Sequence, residues 1–181
     1  MPASFPPLTF LVASPQLRGS FFGDALILLL EHTAEGALGL VVNQPLETPL
    51  SELLPEGADA PAGNGAALLG GPVQPETGWC LYQRSLGAAG ELQLSPGLVA
   101  TAHAETFAQV RASSQRYLLV LGYAGWDAGQ LEEETRSGAW LWLEEPDPFL
   151  LWDTPAPQRW QAAVNLLGID PTRLAGGGAR A

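Results

Sequence analysis

Apolar residues along this chain fall in short runs separated by glycine, proline and polar residues, a pattern typical of a domain rich in β-strands. The run Thr9 to Ala13 predicts a strand that ends at Ser14-Pro15. Ala25 to His32 and Leu38 to Asn43 predict two more strands, and the short turn at Gly36 between them predicts a hairpin. The first of these two strands lacks alternation of apolar and polar residues, so we expect it to be buried on both faces.

The rest of the chain combines further apolar runs with stretches of helical spacing. Three helices are predicted. The first follows Thr101 as a candidate N-cap, the second spans Asp127 to Arg136, and the third runs from Thr154-Pro155 to Gly168. Residues 55–66 are rich in proline, glycine, aspartate and asparagine and predict a surface loop. The later predicted strands are Gly78–Arg84, Glu91–Leu94, Tyr117–Leu121, Ala139–Leu143 and Phe149–Trp152.

Together these elements predict an α+β fold in which three or four short helices pack on a mixed β-sheet of roughly eight strands. No repeat or linker divides the chain, so we expect a single domain over residues 1–170. The glycine-rich residues 171–181 predict a flexible tail. A length of 181 residues with 46 % hydrophobic content suits one domain with a sizeable core.

The charge balance narrows the classes of partner. The chain has 19 acidic and 8 basic residues, a net charge of −11, and every basic residue is an arginine. Nucleic acids are bound through cationic contacts with phosphates, so we expect no direct binding of nucleic acid. The absence of lysine also removes Schiff-base chemistry and the lysine of phosphate-binding loops.

The composition of residues 1–7, the short apolar runs and the single cysteine predict a cytoplasmic protein that does not enter a membrane. The longest apolar run, Ala25 to Leu30, is far shorter than the ~20 residues of a membrane span. Residues 1–7 contain no basic residue, unlike a signal peptide. Cys80 is the only cysteine, which excludes an internal disulfide and suggests a buried, inert thiol.

Three groups of residues form a pattern over most of the chain: Glu31-His32 with Gly36, Gly39, Asn43 and Pro45; Gly70-Gly71-Pro72 with Gly78; and Gly122–Trp126 with Gly129–Glu132 and Trp140. Together these groups resemble the AlgH/YqgE family of bacterial proteins. The resemblance runs from about Phe10 to Gly168, and it implies an α+β fold with a mixed sheet bent into a partial barrel. One member is named for a role in regulating alginate production, so the resemblance also implies a transcriptional or regulatory effect, exerted indirectly through protein partners or a small effector. Two positions depart from the family pattern: Leu30 stands where members often have cysteine, and Gln44 stands where they often have lysine.

The first candidate site residues lie on the predicted hairpin and the turn after it. Glu31 and His32 are adjacent ionisable residues, and neighbours on a regular strand point to opposite faces unless a bulge re-aims them. They either form part of a site or pin the hairpin by hydrogen bonds. Asn43 either presents its amide to a ligand or caps a turn. Gly70 and Gly71 either let backbone amides approach a ligand or meet a backbone requirement of the fold.

The segment Gly122 to Gln130 predicts a strand, a glycine-rich turn and the start of a helix, a junction where ligands often bind. Trp126 either stacks on a ligand or fills the core, and Gln130 is a candidate for positioning a ligand. Glu132 to Glu134 predict a solvated helix face and would repel an anion.

The sequence therefore supports two hypotheses about function. The first is a regulatory or interaction protein that acts through a protein partner or a small effector and is not an enzyme. The alternative is an enzyme or small-molecule sensor whose site lies around His32, Gly71 and Trp126. The sequence predicts neither a cofactor nor a metal site.

Overall fold

The computed structural model of the chain describes residues 8–54 and 65–170. The tail over 171–181 and most of the predicted loop, residues 55–64, lie outside the described residues. The described residues form nine strands and five α-helices. The strands are β1 Thr9–Ala13, β2 Leu26–Thr33, β3 Gly36–Val41, β4 Gly65–Leu69, β5 Val73–Tyr82, β6 Glu91–Ser95, β7 Leu98–Thr101, β8 Tyr117–Asp127 and β9 Trp140–Glu144. The helices are α1 Leu50–Leu53, α2 Ala104–Ala112, α3 Gln130–Arg136, α4 Phe149–Trp152 and α5 Arg159–Leu167.

The strands form one mixed sheet that curls into a half-barrel, in the order β6-β7-β5-β8-β3-β2-β1-β9. Neighbours along this order are antiparallel, whereas β4 runs parallel to β8 beside this path. The predicted α+β class, single domain and bent mixed sheet are confirmed, although the described residues contain five α-helices rather than three or four. No helix among the described residues is long and apolar enough to cross a membrane.

The central strand β8 joins the two parts of the sheet. Its first half, residues 117–121, pairs with β4 and β5, and its second half, Ala124 to Asp127, pairs with β3. The prediction of a glycine-rich turn after Leu121 is therefore wrong. Gly122 only kinks the strand, with φ +77, and the pairing with β3 keeps the glycine-rich segment extended despite its weak strand propensity.

The hairpin of β2 and β3 is confirmed, and a bulge lies between Leu29 and Glu31. Burial on both faces holds only for the first half of β2, where Leu26 to Leu28 are fully buried. From Leu29 onward the side chains become half-buried and then exposed. The second half of β2 therefore reaches the surface.

Three predicted helices begin later than their sequence signals suggest. Thr101 ends β7, and its hydroxyl accepts a hydrogen bond from the His103 amide at 3.1 Å, so that α2 starts at Ala104. The helix expected from Asp127 starts at Gln130, because β8 continues through Asp127. The helix expected from Thr154-Pro155 opens with a 3₁₀ turn over Ala156–Gln158, and α5 itself starts at Arg159. It ends at Leu167 with Gly168 as its C-cap, as predicted.

The predicted strand Phe149–Trp152 is in fact the helix α4. The Asp147 carboxylate accepts a hydrogen bond from the Phe149 amide at 3.0 Å at its start, and Leu150, Leu151 and Trp152 are all buried. A short apolar run has no period that separates a strand from a helix, so the sequence pattern could not decide this.

Both faces of the β1–β2–β3 region are covered, because successive strand residues point to opposite sides. One face, with Phe10, Leu28 and Leu40, packs against α4 and α5. The other, with Leu11 and Ile27, packs against α3 and the segment after β1.

A buried arginine ties α5 to the end of β3. Arg159 is 6 % exposed, and its guanidinium donates to the carbonyl oxygens of Thr154, Leu151 and Val42, the last at 2.6 Å. Burial lowers the pKa of Arg159 to about 10, which still leaves it charged at neutral pH. The contact to Val42 holds the chain just before Asn43, where a cavity opens.

Candidate functional site

Glu31 and His32 lie near the tip of the β2–β3 hairpin, just after its bulge. His32 Nε2 lies 2.6 Å from Glu132 Oε1 on α3, and the imidazole ring lies against Trp142 at a centroid distance of 5.4 Å. This hydrogen bond from His32 holds the pKa of Glu132 below its usual value. His32 thus links the hairpin to α3, while Glu31 is exposed.

Trp126 is only 7 % exposed, so its ring fills space in the core rather than standing open to a ligand. Its indole N–H donates to Glu134 Oε1 at 3.1 Å, and Trp140 donates to the same oxygen at 2.9 Å. Gln130 is also engaged: it accepts from the Asp127 amide and donates to Glu134, each at 2.9 Å. The three acidic residues of α3 are therefore not all solvated, since Glu134 organises this cluster.

Gly70 and Gly71 lie where β4 ends against β8. Gly70 N–H donates to Leu121 O at 2.7 Å, and Gly70 O accepts from Val41 N–H at 2.8 Å. A Cβ at Gly70 would lie 2.4 Å from Gly122 O, and one at Gly71 would lie 2.1 Å from Tyr123 O. Both glycines permit close contact between backbones, and the Gly70 amide is already hydrogen-bonded within the chain.

Asn43 follows β3, and its side chain binds both the start of β2 and the segment that precedes β2. Its Oδ1 accepts from the Leu26 amide and its Nδ2 donates to Asp24 O, each at 2.9 Å. The side chain therefore holds the 21–25 segment in place, and does so beside an open cavity.

The seven predicted site residues fall into separate places along the sheet. His32, Ala37 and Trp126 form one row across β2, β3 and β8, with Gln130 next to it. Asn43 binds Leu26, six residues from His32 along β2, which corresponds to about 20 Å at the usual rise of a strand. The Gly70-Gly71 pair lies between them, against β8.

The cavity beside Asn43 has a volume of about 200 Å³. Its lining includes one of the seven predicted site residues, Asn43, and otherwise comes from the 21–25 segment and the ends of β3 and β4. The lining residues are Phe21, Gly23, Asp24, Ala25, Val41, Asn43, Gln44 and Leu69.

The cavity is lined by apolar side chains and by Asp24, whose backbone has an unusual conformation. Phe21 is 47 % exposed, which is high for a phenylalanine in a folded domain. Asp24 has φ +52, a left-handed conformation that aspartate tolerates better than most residues. Arg18 Nε donates to Asp24 Oδ1 at 2.9 Å. Such strained residues often occur at binding sites.

The chemistry of this lining suits binding. It contains no histidine, cysteine or hydroxyl side chain that would serve as a base or nucleophile, and Asp24 is paired with Arg18. Elsewhere, the Cys80 thiol is buried, and burial raises its pKa, as expected for an inert thiol. No group of three metal-ligating side chains occurs in the described ranges.

Sequence patterns gave little sign of this cavity. Phe21, Asp24 and Gln44 lie in irregular segments with no apolar periodicity. The signals available were an adjacent Phe21-Phe22 pair in a polar loop and the Gly23-Asp24 turn, neither of which indicates a wall shared with β3 and β4.

Comparison with known proteins gives consistent matches over nearly the whole chain. The AlgH-like family model matches residues 10–172. A UPF0301 protein of Anaeromyxobacter sp. is 41 % identical over 187 residues, covering 95 % of this chain and 94 % of its own. A UPF0301 protein of Magnetococcus marinus is 39 % identical over 170 residues, covering 91 % and 90 %.

Two solved structures are similar in fold. The solution structure of the AlgH protein from Pseudomonas aeruginosa has a TM-score of 0.75 and 33 % identity, covering 100 % of this chain and 97 % of that one. A crystal structure of a protein from Corynebacterium diphtheriae has a TM-score of 0.77 at 19 % identity, covering 96 % and 94 %. The second likeness concerns the fold alone.

Proposed function

Since this chain belongs to the AlgH-like family, we propose that it is a regulatory binding protein that acts through a protein partner and carries out no reaction of its own. The regulatory role is inferred from the family resemblance described in the sequence. The cytoplasmic location expected from the sequence is part of the same proposal.

The observation that carries this proposal is the cavity beside Asn43. Its volume of about 200 Å³ suits one side chain of a partner better than a whole cofactor. Phe21 stands at this cavity about half exposed, and exposed aromatic residues are favoured anchors in protein interfaces.

The alternative, an enzyme or sensor around His32, Gly71 and Trp126, has less support. His32 is bound to Glu132, Trp126 is buried against Trp140, and Gly71 packs on the backbone of Tyr123. Each group already makes a contact within the fold, which favours the structural interpretation of these residues.

The charge favours a protein partner over nucleic acid. At a net charge of −11, the field of the molecule repels phosphates and attracts basic surfaces. A gel shift with tight, sequence-selective DNA binding at physiological salt would contradict this part of the proposal.

The cavity is tested by site-specific photocrosslinking in cells that naturally express the protein. A photoreactive phenylalanine analogue replaces Gln44 at the cavity in one variant and Leu166, an exposed residue of α5, in the control. We expect the first variant to trap a partner that the control does not trap. The trapped protein is then purified, and its affinity is measured by calorimetry with the unmodified chain and with Phe21→Ala.

The expected result is a complex that Phe21→Ala weakens at least about tenfold, as for an anchor in an interface. The proposal fails if both positions trap the same proteins, or if the purified partner binds Phe21→Ala and the unmodified chain equally well.

A further inference from the structure

We propose that the cavity beside Asn43 receives the guanidinium group of an arginine in a basic segment of the protein partner. This inference rests on the proposed function and names the chemistry that the cavity recognises. Asp24, Phe21 and Gln44 are the recognition residues.

Asp24 supplies the negative charge. It lines the cavity, its side chain is 47 % exposed, and its left-handed backbone is held by the hydrogen bond from Asn43 to Asp24 O. Arg18 Nε contacts one carboxylate oxygen, Oδ1, which leaves Oδ2 outside that contact. A carboxylate can bind two donors at once, and guanidinium groups pair with carboxylates in a planar geometry.

Arg18 shows how a guanidinium is held at this place. Its group pairs with Asp24 at 2.9 Å and lies over the Trp160 ring, 5.7 Å from the centroid. Both members of the ion pair are about half exposed, and exposed pairs of this kind are weak. A partner arginine can therefore share or replace this contact.

Phe21 supplies an aromatic surface next to the carboxylate. Its ring packs edge-on against Phe22, with centroids 5.1 Å apart, and Phe22 packs in turn on Trp140. Nearly half of Phe21 stays exposed. Arginine stacks on such rings more readily than lysine does.

The remaining lining fits the rest of an arginine side chain. Ala25, Val41 and Leu69 form apolar walls that suit its methylene stem. Gln44 is exposed, and its amide oxygen can accept an N–H of the guanidinium. The net charge of −11 attracts a basic segment from a distance.

The test uses the full chain labelled with ¹⁵N and the peptide acetyl-Ala-Leu-Arg-Leu-Ala-amide as the probe. A second peptide has citrulline, which is neutral and nearly isosteric, in place of arginine. A third probe, agmatine, represents a free small molecule with the same guanidinium. Amide signals of Gly23, Asp24 and Gln44 are followed during each titration.

We expect the arginine peptide to shift these signals, and the citrulline peptide to bind about tenfold more weakly or not at all. Asp24→Asn, which keeps a residue that tolerates positive φ, weakens binding about threefold to tenfold. Phe21→Ala weakens it to a similar extent, about threefold to fivefold. Arg18→Ala strengthens it about twofold, because it removes the internal competitor.

Phe149→Ala is the matched control, since Phe149 is 46 % exposed but lies on α4, away from this lining. It should leave the affinity unchanged. Equal binding of the arginine and citrulline peptides overturns the inference while leaving the proposed function intact. Agmatine binding as tightly as the peptide overturns the assignment to a protein segment. If no peptide shifts these signals, the inference fails, and the proposed function fails with it only if crosslinking from Gln44 also traps no partner.

Discussion

At the scale of single residues, the glycines where β4 meets β8 show how closely two backbones approach in this fold. The backbones of Gly70 and Gly122 approach so closely that a Cβ on either would lie 2.4 Å from a carbonyl oxygen of the facing segment. Gly70 also bridges two strands, through hydrogen bonds to Leu121 O and from Val41 N–H. Any side chain here forces the backbones apart.

Replacing Gly70 with alanine should therefore lower the free energy of unfolding by about 1–3 kcal/mol, the usual cost of overpacking. Urea denaturation followed by circular dichroism measures the change. Gly125→Ala is the control in β8, because the nearest atom to its Cβ, on the Tyr123 ring, is 3.7 Å away. Equal losses in the two variants would mean that close backbone contact at Gly70 is not the cause.

At the scale of elements, α3 is held to the sheet by polar contacts. Glu134 accepts the indole N–H groups of Trp126 and Trp140, while His32 reaches Glu132 from the hairpin. Trp142 adds a hydrogen bond from its indole N–H to the hydroxyl of Thr135 at 3.0 Å. Three tryptophans, one on β8 and two on β9, thus orient one short helix.

Glu134→Ala should destabilise the protein by about 2–4 kcal/mol, because two indole N–H groups lose their acceptor. Glu133→Ala is the matched control, because the exposed Glu133 side chain pairs with the exposed side chain of Arg136. Loss of this pair should cost less than about 0.5 kcal/mol. Denaturation curves and the near-ultraviolet circular dichroism of the tryptophans report both effects. Similar stabilities of the two variants would show that Glu134 does not hold α3.

At the scale of the whole molecule, β8 makes one cooperative unit of two different packing regions. Its first half belongs with β4 and β5, and its second half belongs with β3, next to β2 and β1. Because a single strand belongs to both regions, neither region can lose its pairing with β8 without disturbing the other.

The two regions should therefore unfold in one transition. Cys80, 2 % exposed on β5, reports on one region through its reaction with a thiol reagent. Tryptophan fluorescence reports mainly on the other, where Trp126, Trp140 and Trp142 lie. The two probes should give the same urea midpoint and the same free energy of unfolding. Reaction of Cys80 at urea concentrations where the fluorescence is still native would show that the regions unfold separately.

Features that depend on neighbouring residues could be predicted from the sequence. β1 spans the predicted residues Thr9–Ala13, the β2–β3 hairpin forms around Gly36, and α5 ends at Gly168, where φ is +71. Each follows from local sterics or from a short apolar run next to a turn residue. The burial of Cys80 within an apolar strand follows in the same way.

Features that depend on which distant segment supplies a partner required the folded chain. Because β8 pairs with β3, the segment after Leu121 is a strand where the sequence predicts a glycine-rich turn. The acceptor for the Trp126 indole N–H lies on α3, a separate element. The cavity beside Asn43 has walls from residues 21–25, 41–44 and 69, which meet only in the curled sheet. Local propensities differ by amounts smaller than the free energy of burying a side chain or pairing a strand, so these long-range contacts outweigh them wherever the two disagree.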